Sequence, residues 1–156
     1  MRREIMTGID IAAPPERVWE VLLDFPAYRE WNPFIQRLEG AAWAGGVLRV
    51  SMRLGGRRPM TFRPRILVVE APRLLRWRGS LGIPGLFDGE HDFALAALPS
   101  GGTRFTHGER FSGLFVGFFG ARMVGATKTA FAAMNEALRQ RVEAREAPMD
   151  AAHDHV

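Results

Sequence analysis

The 156-residue sequence contains no cysteine, which excludes disulfide bonds, thiolate metal ligands and cysteine nucleophiles. Long hydrophobic runs are also missing: the longest, residues 113–121, is about half of the roughly 20 residues that a membrane-spanning helix needs. The N-terminal residues lack the apolar core of a signal peptide. We therefore expect a cytoplasmic protein without an integral membrane segment, and a chain of this length needs no structural metal to fold.

Lysine is scarce too, since all but one of the 21 basic residues are arginine, and the formal net charge is +4. Clustered arginine attracts phosphates, so nucleic acid binding has to be considered. The densest basic stretch, residues 57–78, interleaves its arginines with apolar residues typical of strands. This pattern is typical of the solvent-exposed face of a sheet, and we expect no nucleic acid partner.

Hydrophobic spacing predicts the order of secondary structure. Residues 2–11 form a first strand, and Pro14-Pro15 opens a helix whose apolar residues recur at helical spacing up to Phe25. A shorter helical piece over 27–31 ends at Asn32, because a residue before proline is driven out of helical geometry. Six strands then follow, at residues 34–40, 47–54, 60–70, 74–80, 87–98 and 103–111.

A long amphipathic helix is predicted over 115–144. The connections between the six strands are short, so the strands form an antiparallel meander, and Pro64 marks an edge or a bulge. The fold class is therefore α+β: a curved, seven-stranded antiparallel sheet around a long C-terminal helix, with two short helices between strands 1 and 2. We expect one domain over 1–147 and a flexible polar tail over 148–156.

The segment Ala12–Phe34, the meander, the segment His107–Gly113 and the long helix together resemble the START-like (SRPBCC) superfamily. Its members include proteins of the Bet v 1-like fold and the bacterial polyketide cyclase/dehydrase-like branch. The resemblance covers about residues 3–145. It implies a helix-grip fold with a deep, mostly apolar pocket between the sheet and the C-terminal helix. Carriers of hydrophobic molecules, enzymes and co-chaperones share this scaffold, so the fold alone does not select a function.

Alternation along the strands predicts which side chains face that pocket, and in the strand over 60–70 it directs Ile66 and Val68 inward. An aromatic and methionine-rich stripe is also typical of a filled core, whereas the resemblance implies that much of this volume is open. Trp31 is included because the resemblance places the end of the second helix near a pocket entrance. The predicted ligand-binding residues are Trp31, Met52, Phe62, Trp77, His91, Phe93, Phe105, His107, Glu109, Phe111, Met123, Thr127, Phe131 and Met134.

His91, His107 and Glu109 are the candidate catalytic residues, because three ionisable groups on one apolar face must find partners there. They can be satisfied polar residues near the mouth, ligand-orienting groups, or an acid and a base. His107 and Glu109 lie roughly 6.5 to 7 Å apart along one strand, a spacing that flanks a ligand more readily than it allows a mutual hydrogen bond. Two histidines and a carboxylate also form a known metal-ligand set, but such a set arises easily by chance, and we predict no metal and no cofactor.

Two functional hypotheses follow. In the first, the protein binds or carries a hydrophobic small molecule, such as a lipid, polyketide, isoprenoid or quinone, and the ionisable groups orient its polar end. In the alternative, a cyclase or dehydrase, His107 or Glu109 moves a proton. A third possibility is a protein-interaction module whose own side chains fill the cavity. We expect a monomer or homodimer, and we interpret His153 and His155 as part of the frayed tail rather than as metal ligands.

Overall fold

The computed structural model describes residues 2–118 and 120–151, except for the side chains of 146–151. One strand, two short helices, seven further strands and a long helix follow one another. The helices are α1 (Pro15–Leu23), α2 (Tyr28–Trp31) and α3 (Ala121–Ala151), and 3-10 turns lie at Phe25–Ala27 and Val116–Phe118. The strands are β1 (Arg2–Ile11), β2 (Ile35–Glu39), β3 (Arg49–Met52), β4 (Met60–Phe62), β5 (Arg65–Glu70), β6 (Leu74–Ser80), β7 (Asp88–Ala97) and β8 (Thr103–Ser112).

The predicted α+β class is confirmed, with all strand pairs antiparallel. Five strands pair in the order β1-β8-β7-β6-β5 and three in the order β2-β3-β4, and a bridge from Val47 to Arg65 joins the two groups. The described residues thus form eight strands instead of seven. The difference arises at Pro64, which lies between β4 and β5: β4 pairs with β3, whereas β5 pairs with β6. A proline cannot donate to a sheet ladder, so the predicted strand over 60–70 breaks there.

Alternation assigns the buried face correctly along β6, β7 and β8, where Trp77, Phe93 and Phe105 are buried. It is wrong at Val68, which the alternation predicts to face inward with Ile66. A bulge follows Ile66, so that Val68 pairs with Arg76 and Val69 takes the inward position. An extra residue in one strand shifts the side-chain alternation of the residues after it by one position.

Helix α3 packs against β1, β8 and α1 and supplies one side of the core through Phe131, Met134 and Leu138. It begins at Ala121, later than predicted, because the 3-10 turn Val116–Phe118 precedes it. It continues to Ala151, so the backbone of 148–151 is helical where a tail is predicted. Residues 152–156 of that tail, with His153 and His155, lie outside the described residues, and the division at residue 147 stays a prediction.

The outer face of the sheet carries arginines that form ion pairs with carboxylates across neighbouring strands. Arg76 contacts Asp92 at 2.5 Å, and Arg104 contacts Asp10 at 2.9 Å. Cross-strand pairing of opposite charges suits a solvent-facing side of a sheet. Within the described residues, no helix combines the length and the apolar character that a bilayer crossing requires.

Candidate functional site

A cavity of about 280 Å³ lies between the sheets and the first turns of α3. Its wall is mostly apolar, with glycine, hydroxyl and charged residues at separate points. Leu81 and Phe87 border it and also line an apolar surface groove shared with Phe115 and Phe118, both of which are exposed. The wall residues are Phe34, Val50, Met52, Leu54, Arg57, Arg58, Met60, Phe62, Pro64, Trp77, Gly79, Ser80, Leu81, Phe87, Gly89, Glu109, Phe111, Met123 and Thr127.

Half of the predicted ligand-binding residues belong to this wall: Met52, Phe62, Trp77, Glu109, Phe111, Met123 and Thr127. The other predicted residues fill the core beside the cavity instead: His91, Phe93, Phe105, His107, Phe131 and Met134 are all buried and are not in the wall. Trp31 is not in the wall either. It lies at the end of α2 and packs on Tyr28, with 5.1 Å between ring centroids. Asn32 turns the chain immediately after it by accepting hydrogen bonds from the backbone N–H groups of Phe34 and Ile35.

Several wall residues are not in the predicted set. Gly89 and Phe87 precede His91 at alternate positions, so period-two spacing extended back to Phe87, the residue before β7, would have found them. Arg57 and Arg58 lie in the exposed turn between β3 and β4, where no apolar pattern marks an inward face. Phe34 follows the Asn32 turn, and no sequence periodicity signals its direction.

His91 links the cavity wall to the core. Strand register places it directly opposite Glu109, and its Nδ1 lies 3.2 Å from Glu109 Oε2. Its Nε2 lies 2.7 Å from His107 Nε2. The side chain of His91 is 1% exposed and that of Glu109 15%, so of the two only the carboxylate has appreciable access to solvent. His107 and Glu109 are therefore joined through His91, on the neighbouring strand, and not by a contact with each other.

The chain of hydrogen bonds continues from His107 to α3 and β1. His107 Nδ1 lies 2.9 Å from Asn135 Oδ1, and Asn135 Nδ2 donates to Thr7 Oγ1 at 2.8 Å. Thr7 Oγ1 in turn donates to the backbone oxygen of His107 at 3.3 Å. These contacts satisfy polar groups that would otherwise be unpartnered in an apolar interior. We call Glu109, His91, His107, Asn135 and Thr7 the polar chain.

Aromatic rings enclose the two imidazoles of the polar chain. Phe131 stacks on His107 with ring centroids 3.9 Å apart and planes 7° apart, and Trp77 stacks on His91 at 5.3 Å. Burial removes the water that would stabilise an imidazolium and so lowers the pKa of His107 well below its ordinary value, an effect that the nearby His91 reinforces. His107 is therefore neutral at neutral pH.

Glu109 owes its place in the wall to Gly89. A Cβ atom added at Gly89 would lie 2.5 Å from Glu109 Oε1, which is closer than two such atoms approach. Only a residue without a side chain leaves room for the carboxylate at this point. Over residues 2–118 and 120–145, no group of three or more His, Asp or Glu side chains is placed to hold a metal ion.

Comparison with known proteins gives the family. A family model described as polyketide cyclase/dehydrase and lipid transport matches residues 2–143. The chain belongs to this family. The match covers almost the same residues as the START-like resemblance. A search of curated proteins found no match.

Solved structures similar to this member of the polyketide cyclase/dehydrase and lipid transport family share its fold. The Zhui aromatase/cyclase from Streptomyces sp. R1128 is 20% identical, with a TM-score of 0.75 over 93% of this chain and 96% of that one. A START superfamily protein from Mycobacterium smegmatis is 21% identical, with a TM-score of 0.71 over 90% of this chain and 97% of that one. A norcoclaurine synthase from Thalictrum flavum is 15% identical, with a TM-score of 0.69 over 91% and 94% of the two chains. At these identities the likeness shows the fold and leaves the ligand open.

Proposed function

We propose that the protein binds an apolar small molecule in the cavity between the sheets and α3. The observation that carries this proposal is the cavity itself, about 280 Å³ with walls of Phe, Met, Leu, Val and Trp side chains. Burial of an apolar ligand against such a wall contributes about 25 cal/mol for each Å² removed from water. The volume lies just below the range of roughly 300 to 1,000 Å³ that is typical of ligand pockets, so the ligand is compact.

The position of the histidines favours binding over acid–base catalysis by His107. A general base must come within hydrogen-bonding distance of the proton that it moves. His107 is fully buried, is absent from the wall, and has both ring nitrogens in hydrogen bonds to His91 and Asn135. A molecule in the cavity meets Glu109 and not His107. The cyclase or dehydrase hypothesis, in the form that uses His107 directly, therefore has no support from this geometry.

Filling the cavity with a protein side chain tests the proposal. Thr127 lies on α3 in the cavity wall, and its hydroxyl donates to the backbone oxygen of Met123 at 2.8 Å. Thr129 makes the equivalent bond to Gly125 at 3.0 Å but is exposed, so Thr129→Phe is a matched control for Thr127→Phe. Thermal unfolding of both variants verifies that each retains the fold.

The probe for this test is Prodan, an uncharged naphthalene dye with one ketone oxygen, whose emission shifts to the blue when it leaves water. We expect saturable binding to the wild type, at least about a tenfold loss of affinity in Thr127→Phe, and unchanged affinity in Thr129→Phe. Native mass spectrometry of the freshly purified protein additionally shows whether a ligand co-purifies. Absence of saturable dye binding, or equal binding by both variants, would overturn the proposal.

A further inference from the structure

The directions of the hydrogen bonds in the polar chain are fixed from one end. The backbone oxygen of His107 can only accept, so Thr7 Oγ1 donates to it. The Thr7 oxygen then accepts from the amide nitrogen of Asn135. The amide oxygen of Asn135 is left facing His107 Nδ1 at 2.9 Å, and that nitrogen must carry a hydrogen. His107 is thus a donor through Nδ1.

The same reasoning continues from His107 to the cavity. With His107 neutral and protonated on Nδ1, its Nε2 is an acceptor, so His91 Nε2 donates to it across 2.7 Å. His91 Nδ1 then faces Glu109 Oε2 at 3.2 Å, and this contact also needs a hydrogen. The hydrogen is either on His91, as an imidazolium beside a carboxylate, or on Glu109 Oε2. In both states one proton lies between these two atoms.

Glu109 Oε1 carries no proton in either state. It is a carboxylate oxygen in the first and a carbonyl oxygen in the second, and both are acceptors only. Glu109 and Gly89 both belong to the cavity wall, and the missing Cβ of Gly89 leaves room for this oxygen beside it. The two hydroxyl groups of the wall already donate to the protein, Ser80 to Asp88 and Thr127 to Met123. The hydroxyl and carboxyl oxygens of the wall are therefore available to a ligand only as acceptors.

We propose that the molecule bound in this cavity carries a hydroxyl group, phenolic or aliphatic, which donates a hydrogen bond to Glu109 Oε1. This inference rests on the proposed binding function and specifies its ligand class. A ligand carboxylate or ketone at the same position would bring two acceptor oxygens together with no hydrogen between them, so Prodan binds with its ketone directed away from Glu109, towards Arg57 or Arg58. The cavity thus selects for a donor at this end of an otherwise apolar molecule.

Three small bicyclic probes separate donor recognition from simple apolar burial. These are 2-naphthol, which has a hydroxyl donor, 2-methylnaphthalene, which has the same shape and no polar group, and 2-naphthaldehyde, which only accepts. Their affinities are measured by displacement of Prodan. We expect the wild type to bind 2-naphthol about tenfold or more tightly than 2-naphthaldehyde, as expected for a hydrogen bond to a charged or strongly polarised acceptor.

Two variants at Glu109 assign that preference to the proposed atom. Glu109→Met removes the acceptor, so the affinity ratio of 2-naphthol to 2-methylnaphthalene falls by about tenfold or more. Glu109→Gln keeps part of the preference, because its amide nitrogen donates to His91 Nδ1 and its oxygen stays on the cavity side. If Glu109→Met does not fold, the affinity ratios of 2-naphthol to 2-methylnaphthalene in Glu109→Gln and in the wild type test the assignment instead.

Failure of this inference is distinguishable from failure of the proposed function. If 2-methylnaphthalene binds but the wild type does not favour 2-naphthol, the hydroxyl assignment is overturned while the binding function stands. The same holds if Glu109→Met keeps the preference, or if 2-naphthaldehyde binds most tightly, in which case donors such as the Trp77 indole N–H or the guanidinium groups of Arg57 and Arg58 select the ligand. If none of the probes displaces Prodan and Prodan itself does not bind, both proposals fall.

Discussion

His107 and Asn135 join the sheet to the C-terminal helix through one buried hydrogen bond, 2.9 Å from Nδ1 to Oδ1. His107 lies in β8 and Asn135 in α3, and the two residues are 0% and 2% exposed, respectively. Because Asn135 also donates to Thr7 on β1, a single amide ties three elements together. The contact ties α3 to the sheet and fixes the direction of the hydrogen bonds in the polar chain.

Asn135→Leu tests the structural contribution of this contact. Leucine has a similar size but leaves the His107 Nδ1 hydrogen without an acceptor in an apolar environment, at a cost of about 1 to 3 kcal/mol. We expect a loss of that size in the free energy of unfolding, measured by urea denaturation with an unchanged m-value. Gln140→Leu, at an exposed position of the same helix, should stay within about 0.5 kcal/mol of the wild type. Equal effects of the two substitutions would show that Asn135 has no such role.

The lowered pKa of His107 predicts a pH dependence of stability. The unfolded chain takes up a proton at this histidine below about pH 6.5, whereas the folded protein resists it. The unfolded state therefore binds more protons, and stability falls as pH decreases from about 6.5 towards the folded pKa. The groups facing His107 are His91 and Asn135, with Glu109 beyond His91.

His107→Gln isolates that dependence, because the amide removes the titrating group and retains hydrogen-bonding capacity. The wild type should lose up to about 1.4 kcal/mol per pH unit between pH 6.5 and 5 from this one proton, and the variant should show a flatter profile. Urea denaturation at closely spaced pH values measures both. Parallel profiles would mean that His107 is protonated as easily in the folded protein as in the unfolded one.

The fold is largely predictable from the sequence because strand alternation, helix spacing and punctuation by proline and glycine are local signals. Pro64 is identifiable in the sequence as an interruption of the strand over 60–70. Whether that strand divides in two depends on which strand pairs with each half, and the local sequence does not determine this pairing. The bulge after Ile66 likewise leaves no local mark, so the predicted direction of Val68 is wrong. The later start of α3 reflects the 3-10 turn Val116–Phe118, within an apolar and glycine-rich segment whose helical spacing is ambiguous.

The site is predictable only in part, because alternation gives the face of a side chain and not its depth. His91, Glu109 and Phe111 all face inward, yet only Glu109 and Phe111 reach the cavity. His91 lies directly opposite Glu109 on the neighbouring strand, where Phe131 from the helix fills the space beside it with 5.3 Å between ring centroids. Asn135 and Thr7 complete the polar chain from elements distant in sequence, and no spacing rule connects them.

Gly89→Ala is expected to displace the Glu109 carboxylate from the cavity wall, since the new Cβ would meet Oε1 at 2.5 Å. The preference for 2-naphthol over 2-methylnaphthalene should then fall, while the affinity for 2-methylnaphthalene changes little. Gly108→Ala is the control on the adjacent strand, because its Cβ finds only ordinary contacts at 3.5 Å or more. Probe affinities by Prodan displacement compare the two. A Gly89→Ala variant with the wild-type preference would show that the carboxylate does not need this gap.

Asp88 anchors the loop that delivers Leu81 and Phe87 to the cavity. Its carboxylate accepts from the Ser80 hydroxyl at 2.7 Å, from the backbone N–H of Gly85 at 3.1 Å and from Arg78 at 3.2 Å. The hydrogen bond from Ser80, with those from Gly85 and Arg78, lowers the pKa of Asp88 below its ordinary value of 3.8. A carboxylate with a lowered folded pKa stabilises the protein above about pH 4, and that contribution is lost as pH falls towards the folded value.

Asp88→Ala should therefore loosen the loop over residues 81–87. The Gly85 amide loses its acceptor, so its hydrogen exchange should accelerate, and the free energy of unfolding should fall by about 1 to 3 kcal/mol at pH 7. Asp10→Ala is the matched control, because Asp10 makes an exposed ion pair with Arg104 that is worth roughly 1 kcal/mol or less. Exchange followed by mass spectrometry resolves the loop from the rest of the sheet. If hydrogen exchange at Gly85 is equally slow in Asp88→Ala and Asp10→Ala, the apolar contacts of the loop hold it in place and Asp88 does not. Prodan affinity should then be the same in both variants.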